Sequence, residues 1–490
     1  MADLRHLILI RPCGELAIKS RQTRRRFQRG LVAALQDALA STGGDYRLRD
    51  EWNRLFVEAE NPGAAAAVSR VFGIASISEV EATAEPRLDA IVETGARVYT
   101  DRVRGGTFAV RARRAGRHSF SSRDVNYELG AALNRYAEVD LDRPDVSVYV
   151  EVREGRAYFF SRKIPGPGGF PLGVEGRAVA LLSGGYDSAV AAWMLLRRGV
   201  TLSYVFCNLG GSAYERAVLN VAKLLADGWS YGSRPDIHVI DFEDVVRQLK
   251  GGVEERYWQV VLKRLMYRAG AAVAAEIGAH AIVTGESVGQ VSSQTLANLR
   301  SIEECVTIPV LRPLIGFDKQ EIIARSREIG TYTLSEKVRE YCALTEEHPV
   351  TGATPEQVAA AEDGLDLSIV DRAVTGRRAL DLRGLDSADL VMPYLYTAEV
   401  PDGSVVIDTR DRQEYDRWHY PGSEHRDFWE LYSDSDSLDR DRSYVLYCDL
   451  GLRTAQLAEK LQGSGYEAYS FKGGVRGLRQ WLEKNAVTTD

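Results

Sequence analysis

The stretch RAVALLSGGYDSAVAAWMLLRRG, residues 177–199, decides the fold of the middle of this chain. After Arg177 it is apolar through Leu182, which reads as a buried strand. Ser183, Gly184, Gly185, Tyr186, Asp187 and Ser188 then crowd small and polar residues into a turn. From Ala189 to Arg198 the pattern is that of a helix. Such a strand–turn–helix brings backbone amides and the positive end of a helix to one spot, which suits phosphate oxygens. No Gly-Lys-Ser/Thr follows, so the loop is not a Walker A. Asp187 offers a carboxylate oxygen of the kind magnesium prefers. The competing reading is a plain structural turn. Serine, two glycines, Asp187 and Ser188 at fixed offsets weigh against it.

Outward from this loop, short strands and helices alternate. Residues 202–206, 238–240 and 281–284 read as strands, and 214–225 and 258–277 as helices. Alternation of this kind predicts a parallel sheet covered by helices. On the N-terminal side, KIPGPGGFPLGVEG (163–176) is a Gly/Pro-rich boundary. Before it, residues 7–10, 55–59, 107–113 and 146–152 read as strands. Residues 24–40 carry Phe27, Leu31, Leu35 and Leu39 at helical spacing, and Ser121 or Ser122 can cap a helix. On the C-terminal side a boundary falls within 350–400. It is followed by strands at 404–408 and 444–447, a helix after Cys448 and a last helix at 475–483. We therefore expect an α/β multidomain chain: two α+β domains at 1–60 and 61–165, a parallel-sheet domain at 176–390, and a small α/β domain at 391–490. No repeat or low-complexity tract interrupts it.

The 490 residues are 45% hydrophobic and 27% charged, a globular composition. No apolar run approaches the roughly 18 residues that span a bilayer. The N-terminus is apolar only over 7–10, too short for a signal-peptide core. The net charge of −7 is uneven, because residues 1–177 hold 28 Lys and Arg against 23 Asp and Glu. A basic front on an acidic chain suggests a polyanion partner held by one part only. Lys19, Arg24, Arg25 and Arg26, flanked by Arg21 and Arg29, form one cluster. Arg111, Arg113, Arg114 and Arg117, with His118, form another, on a strand and the loop after it. A charge run alone usually means a solvated face, but guanidinium clusters beside a capped helix also fit phosphate.

Five cysteines at wide spacings make neither a disulfide framework nor a zinc site. They fit a reducing cytoplasm, and we expect no membrane association. Cys448, in YVLYCDLGLRTAQLAEKL, stands where a strand ends and a helix begins. The helix start and Arg453 both favour a thiolate there. The commoner fate of a lone cysteine is to be buried and inert, and Cys13, Cys207 and Cys305 are read so. His419 and His425 are read as structural rather than as partners of Cys448. Asp449, beside Cys448, is anionic and disfavours a small dianion there.

Several blocks resemble known families. SGGYDS resembles the PP-loop of ATP pyrophosphatases, which adenylate a substrate and release pyrophosphate. FAVRARRAGRHSFSSRDV with DVSVYVEV resembles the THUMP RNA-binding domain, and GELAIKSRQTRRRF resembles the ferredoxin-like domain that accompanies it. VVIDTRDRQEYDRWHYPGSEH, YVLYCDLGLRTAQLAEKL and FKGGVRGLRQWL resemble, in that order, the rhodanese domain. TGESVGQVSSQTLANL and LRPLIGFDKQEI resemble the sulfurtransferase branch of the PP-loop group. In domain order the whole chain resembles the tRNA 4-thiouridine synthetases, the ThiI family.

That resemblance implies ATP with substrate-bound Mg²⁺. It also implies nucleotide contacts at Leu181, Leu182, Ser183, Gly184, Gly185, Asp187, Ser188, Lys263, Gly285 and Gln294, and an activating role for Lys319. Lys263 and Lys319 also read as plain surface lysines. The resemblance further implies a persulfide on Cys448, received from a cysteine desulfurase. The adenylated group would be O4 of uridine 8 in tRNA. Cys342, in REYCALT, would pair with Cys448 during turnover, with the rhodanese domain swinging over the nucleotide site. Some members also serve a thiamine sulfur-carrier protein, and the family often dimerises; the sequence decides neither. Two rivals stay open. One is a sulfur relay for thiamine alone, which would not need residues 111–118. The other is an RNA-binding protein with inactive enzyme domains, against which Asp187, Lys319, Cys342 and Cys448 argue.

Overall fold

The computed structural model describes residues 6–16, 20–51, 53–338, 349–386, 390, 393–433, 437–449 and 451–486. The chain forms two compact units. One comprises residues 1–174 with 197–199 and 231–233, and the other the remainder.

The first unit holds two five-stranded sheets. In one, His6–Pro12 is central, flanked by Arg54–Ala59 and Ile74–Glu79, all antiparallel. The helix Arg21–Thr42, capped by Ser20, lays Phe27, Leu31, Leu35 and Leu39 into its core. Its apolar residues recur every three to four positions, so one face is buried and the arginines keep to the other. The expected break after residue 60 requires correction. Ile74–Glu79 still belongs to this sheet, with Ile8 opposite Glu79, and Ile164–Pro165 pairs on its outer side. These partners lie far apart in sequence, and spacing carries no sign of them.

In the other sheet Thr107–Arg114 runs parallel to Val146–Val152. The helices Leu88–Val103 and Ser122–Leu133 supply Ile91, Tyr99, Val125 and Leu129 to its core. Ser121 is the helix cap, its side chain accepting from the Asp124 amide while Asp124 accepts from Ser121.

The second unit also holds two sheets. The larger has six strands, in the spatial order Val310–Leu311, Ile282–Val283, Arg177–Leu181, Thr201–Asn208, Asp236–Asp241 and Arg378–Asp381. All pair in parallel except the last, an antiparallel edge strand that the sequence pattern did not suggest. From Arg177–Leu181 the chain first builds outward on one side, then returns to build on the other. A switch of this kind opens a crevice at the carboxyl end of that strand. The smaller sheet has five parallel strands, with Ser443–Tyr447 at its centre. Among the described residues no helix is long and apolar enough to cross a membrane.

Candidate functional site

The crevice at the switch point is a cavity of about 670 Å³. The helix after the loop begins at Tyr186 rather than at residue 189, so Asp187 and Ser188 sit in its first turn. Ser188 folds back and its hydroxyl accepts from the Ser183 amide at 3.2 Å, which fixes the loop. Tyr214 donates its hydroxyl to the Ser183 carbonyl at 3.0 Å. Leu181, Leu182, Ser183, Asp187, Ser188, Lys263, Gly285 and Gln294 all line this cavity. Gly184 and Gly185 shape the loop instead of lining the cavity. At Gly285 a side chain is impossible without movement. A Cβ there would lie 2.5 Å from both the Asp187 carbonyl carbon and the Ser188 nitrogen.

Lys319 meets Asp187 although 132 positions separate them, Nζ to Oδ1 at 2.8 Å. Asp318 caps the helix Lys319–Ile329 in a reciprocal capping box, which sets the direction of Lys319 at its first turn. Gln290, not singled out from sequence, donates Nε2 to the other Asp187 oxygen at 3.0 Å.

A second set, of which the sequence singles out only Lys263, surrounds Glu286, which is 5% exposed in the cavity wall. Lys263 Nζ lies 3.1 Å from Oε1. Oε2 accepts from Tyr267 at 2.5 Å, Thr284 at 3.0 Å and Arg312 at 2.9 Å. Burial alone would raise this carboxyl. Lys263, the Tyr267 hydroxyl and Arg312 overcome burial and hold it down at about 2. The charge on Glu286 in turn fixes Lys263 beside the cavity. The glutamate directly follows Gly285, but only the fold reveals that two cations and two hydroxyls converge on it.

Cys448 follows the central strand of the smaller sheet and is 2% exposed. Gly451 donates its amide to the sulfur at 3.2 Å, and the Thr454 hydroxyl lies 3.5 Å away. Gly451 has φ +91° and caps the helix Leu452–Gly463, so the sulfur faces the positive end of a helix. The guanidinium of Arg453 lies over the Phe428 ring at 4.7 Å, and its charge is felt by Asp449. Burial raises the Asp449 carboxyl while Arg410 opposes the rise. His419 stacks on Tyr415 and its Nδ1 contacts the Tyr415 carbonyl, while His425 contacts the Arg410 carbonyl. Cys207 is buried and its thiol is pushed up. Cys305 is pushed up to about 11 by burial, against the pull of Arg268 and Arg264. Cys13 is raised by burial and by Glu15. Cys342 and Lys19 lie outside the described residues.

Within this unit the helix Leu452–Gly463 packs on the helix Gly211–Trp229. Glu459 accepts the Ala213 amide at 3.2 Å, and Ala213, Leu395, Tyr396 and Ala455 form a small apolar cluster. The cysteine-bearing sheet is therefore docked on a helix whose Tyr214 lines the cavity.

In the first unit the candidate arginines separate. Arg111 and Arg113 line a hollow of about 700 Å³ together with Arg11 and Lys163. Neither Arg11 nor Lys163 was singled out from sequence. Glu151, on the hollow's floor, is held down by Arg54, Arg11 and Arg153 against its burial. Burial and the neighbouring arginines lower Lys163, whose Nζ stands 4.0 Å over the Tyr149 ring. Arg114 turns to the Gly116 carbonyl at 2.8 Å, and Arg117 is exposed. Arg25 lines a second hollow with Arg21 and Arg29, one helical turn apart each. Arg24 donates to Asn53 at 2.5 Å and Arg26 to the Val174 carbonyl at 2.9 Å.

A glycine-rich loop at the switch point of a parallel sheet, with a second parallel sheet carrying a cysteine at a helix start, defines a class. This is a multidomain α/β protein joining a nucleotide-type site to a rhodanese-like module. Family profiles match the ThiI ferredoxin-like domain over residues 7–78, the THUMP domain over 85–162, the "Thiamine biosynthesis protein (ThiI)" over 173–367 and the rhodanese-like domain over 395–480. The tRNA sulfurtransferase of Pyrobaculum aerophilum is 39% identical over 95% of this chain and 96% of its own. That of Yersinia enterocolitica is 37% identical over 92% and 96%. The chain belongs to the tRNA sulfurtransferase (ThiI) family. Among solved structures, a 4-thiouridine synthetase in complex with RNA and ATP superposes with a TM-score of 0.67. It is 29% identical and covers 76% of this chain and 99% of its own.

Proposed function

We propose that this chain transfers sulfur to uridine 8 of tRNA, giving 4-thiouridine, at the expense of ATP. The observation that carries the reading is the sharing of one compact unit by two sites. The loop cavity with Asp187 and Lys319 and the helix-capped Cys448 are joined through the packed helices Gly211–Trp229 and Leu452–Gly463. The relatives named tRNA sulfurtransferase and the neighbour bound to RNA and ATP support it.

In this reading ATP lies in the 670 Å³ cavity, with its phosphates at Ser183–Ser188. In this reading magnesium arrives bound to the nucleotide. Asp187 would share that ion with phosphate oxygens, once Lys319 has turned from the carboxylate to the phosphates; the ion supplies charge neutralisation. Adenylation makes uridine O4 a leaving group. The terminal sulfur of a Cys448 persulfide, loaded by a cysteine desulfurase, forms the bond to C4 as AMP departs. Cys342 then attacks Cys448 and releases the thiolated base, or attacks earlier and frees sulfide. Either course leaves a Cys342–Cys448 disulfide that a cellular reductant reopens. Val338, four positions before Cys342, lies against the loop, where a Cβ on Gly184 would meet it at 3.1 Å. The family description as a thiamine biosynthesis protein favours a second outlet, to a sulfur-carrier protein.

The test is sulfur incorporation into unmodified tRNA with ATP, Mg²⁺, cysteine and a desulfurase, read by mercury-gel retardation. Wild type should retard the tRNA and Cys448→Ser should not. Persulfide on Cys448 without retardation would transfer the reading to the relay alone.

A further inference from the structure

The sulfur of Cys448 is the first member of a closed ring of hydrogen bonds. The Thr454 hydroxyl lies 3.5 Å from the sulfur and 2.8 Å from the Ser470 hydroxyl. Ser470 donates to the Gly451 carbonyl at 2.8 Å, and the Gly451 amide returns to the sulfur at 3.2 Å. Thr454 and Ser470 are fully buried, so water does not arbitrate among these groups.

Each hydroxyl has one proton, and counting them fixes the wiring. A carbonyl cannot donate, so the Ser470 proton points at Gly451. The Thr454–Ser470 contact then needs the Thr454 proton. What Thr454 turns to the sulfur is a lone pair, which fits a thiol and opposes a thiolate. When the thiol proton leaves to water, or an anionic persulfide is loaded, the wiring must reverse. Thr454 swings its proton to the sulfur and Ser470 swings its own to Thr454. The Gly451 carbonyl keeps the Ala455 amide at 3.1 Å and loses the serine. Nothing in the ring has to move except two hydrogens.

We propose that Ser470 and Thr454 form a two-position hydroxyl relay that matches the hydrogen bonding of Cys448 to the charge of the sulfur. Thr454 touches the sulfur, and Ser470 is a positioning residue acting through Thr454. In turnover this rests on Cys448 being the sulfur carrier, but the relay itself is a property of the resting thiol. Among the described residues, charged and titratable groups stand beside it on several elements. Tyr396 is raised to about 12 by burial and by the charge of Cys448, so it stays a neutral phenol. Asp449 faces Arg410, which is paired with Asp408, and Glu414 and Arg453 also act on it. None of these groups belongs to the ring.

The two relay positions should act in opposite directions. In the wild type, ionisation shortens the chain of bonds by one, that from Ser470 to Gly451. Ser470→Ala removes that loss and frees the Thr454 proton for the sulfur, which favours the thiolate. Thr454→Val removes the donor to the anion, which favours the thiol. One neutral hydrogen bond corresponds to roughly half to one pH unit, and a bond to an ion to more.

The experiment is alkylation by iodoacetamide of the reduced full chain across pH, followed by mass spectrometry on the Cys448 peptide. No ATP, tRNA or desulfurase is present, so its failure is separate from failure of the proposed activity. The midpoint should fall by about half to one pH unit in Ser470→Ala and rise by about one in Thr454→Val. Thr454→Ser, which keeps the hydroxyl, should retain the wild-type midpoint. Midpoints moving the same way in the first two variants, or an unchanged midpoint in both, would overturn the relay.

Discussion

At the scale of single residues, the nucleotide-type cavity depends on two neighbours in the chain. Gly285 lets the strand end touch the first turn of the loop helix. The Cβ of Gly285→Ala would meet backbone at 2.5 Å, and backbone cannot rotate away. We expect a loss of about 1–3 kcal/mol in stability, the usual cost of overpacking, and ATP binding weakened at least tenfold by calorimetric titration. Wild-type affinity in this variant would mean that the loop and strand separate freely. Glu286 has a different signature. Its carboxyl sits at about 2 in the folded chain, below its usual value of about 4.3. A depressed carboxyl contributes stability that is complete above the unfolded value and is lost as pH falls through the folded one. The gap corresponds to about 3 kcal/mol. The stability difference between wild type and Glu286→Gln should therefore be full at pH 6 and shrink between about pH 4.5 and 2 in urea titrations. A difference independent of pH would mean that the amide fails through packing and not through charge.

At the scale of elements, two helices connect the two sheets of the larger unit. Gly211–Trp229 starts at Gly210, whose lack of a side chain leaves the helix without a cap of its own. Glu459 supplies the missing acceptor from Leu452–Gly463. Helix starts favour a carboxylate in this position by about 0.3–1 kcal/mol. Hydrogen exchange of the Ala213 amide should speed up several-fold in Glu459→Ala and little in Glu459→Gln. Equal protection in all three chains would show that the apolar cluster around Ala455 suffices. This contact also marks how far the sequence could be read. The strands and helices around SGGYDS follow from local periodicity, and the loop from its residue types. Glu459 reaching across 246 positions, or Arg312 and Tyr267 meeting at Glu286, follows from tertiary pairing and leaves no local trace. For the same reason spacing places the boundary at residue 60, while Ile74–Glu79 pairs with His6–Pro12. The arginine runs were legible as charge but not as geometry. Arg111 and Arg113 share a hollow because alternate strand residues face one way, while Arg24 and Arg26 are turned to Asn53 and Val174.

At the scale of the whole molecule, the charge asymmetry of the sequence becomes a division of labour that can be measured. The hollow lined by Arg11, Arg111, Arg113 and Lys163 lies wholly in the first unit, and the loop cavity lies wholly in the second. If the first unit holds RNA through these cations, removing them must act on RNA alone. Each phosphate neutralised contributes about −0.7 to −0.9 to the slope of log affinity against log salt. Replacing Arg111, Arg113 and Lys163 together by alanine should weaken tRNA binding and flatten that slope by roughly 2–3. ATP affinity and the alkylation midpoint of Cys448 should not change. Arg11 is left in place because it is paired with Glu151, and its loss would leave a buried carboxylate short of a partner. A steep slope retained in the triple variant would move the RNA interface to the helix face of Arg21, Arg25 and Arg29. A fall in ATP affinity would instead mean that the two units are coupled through more than the chain that joins them, because no atom of the substituted residues lines the loop cavity.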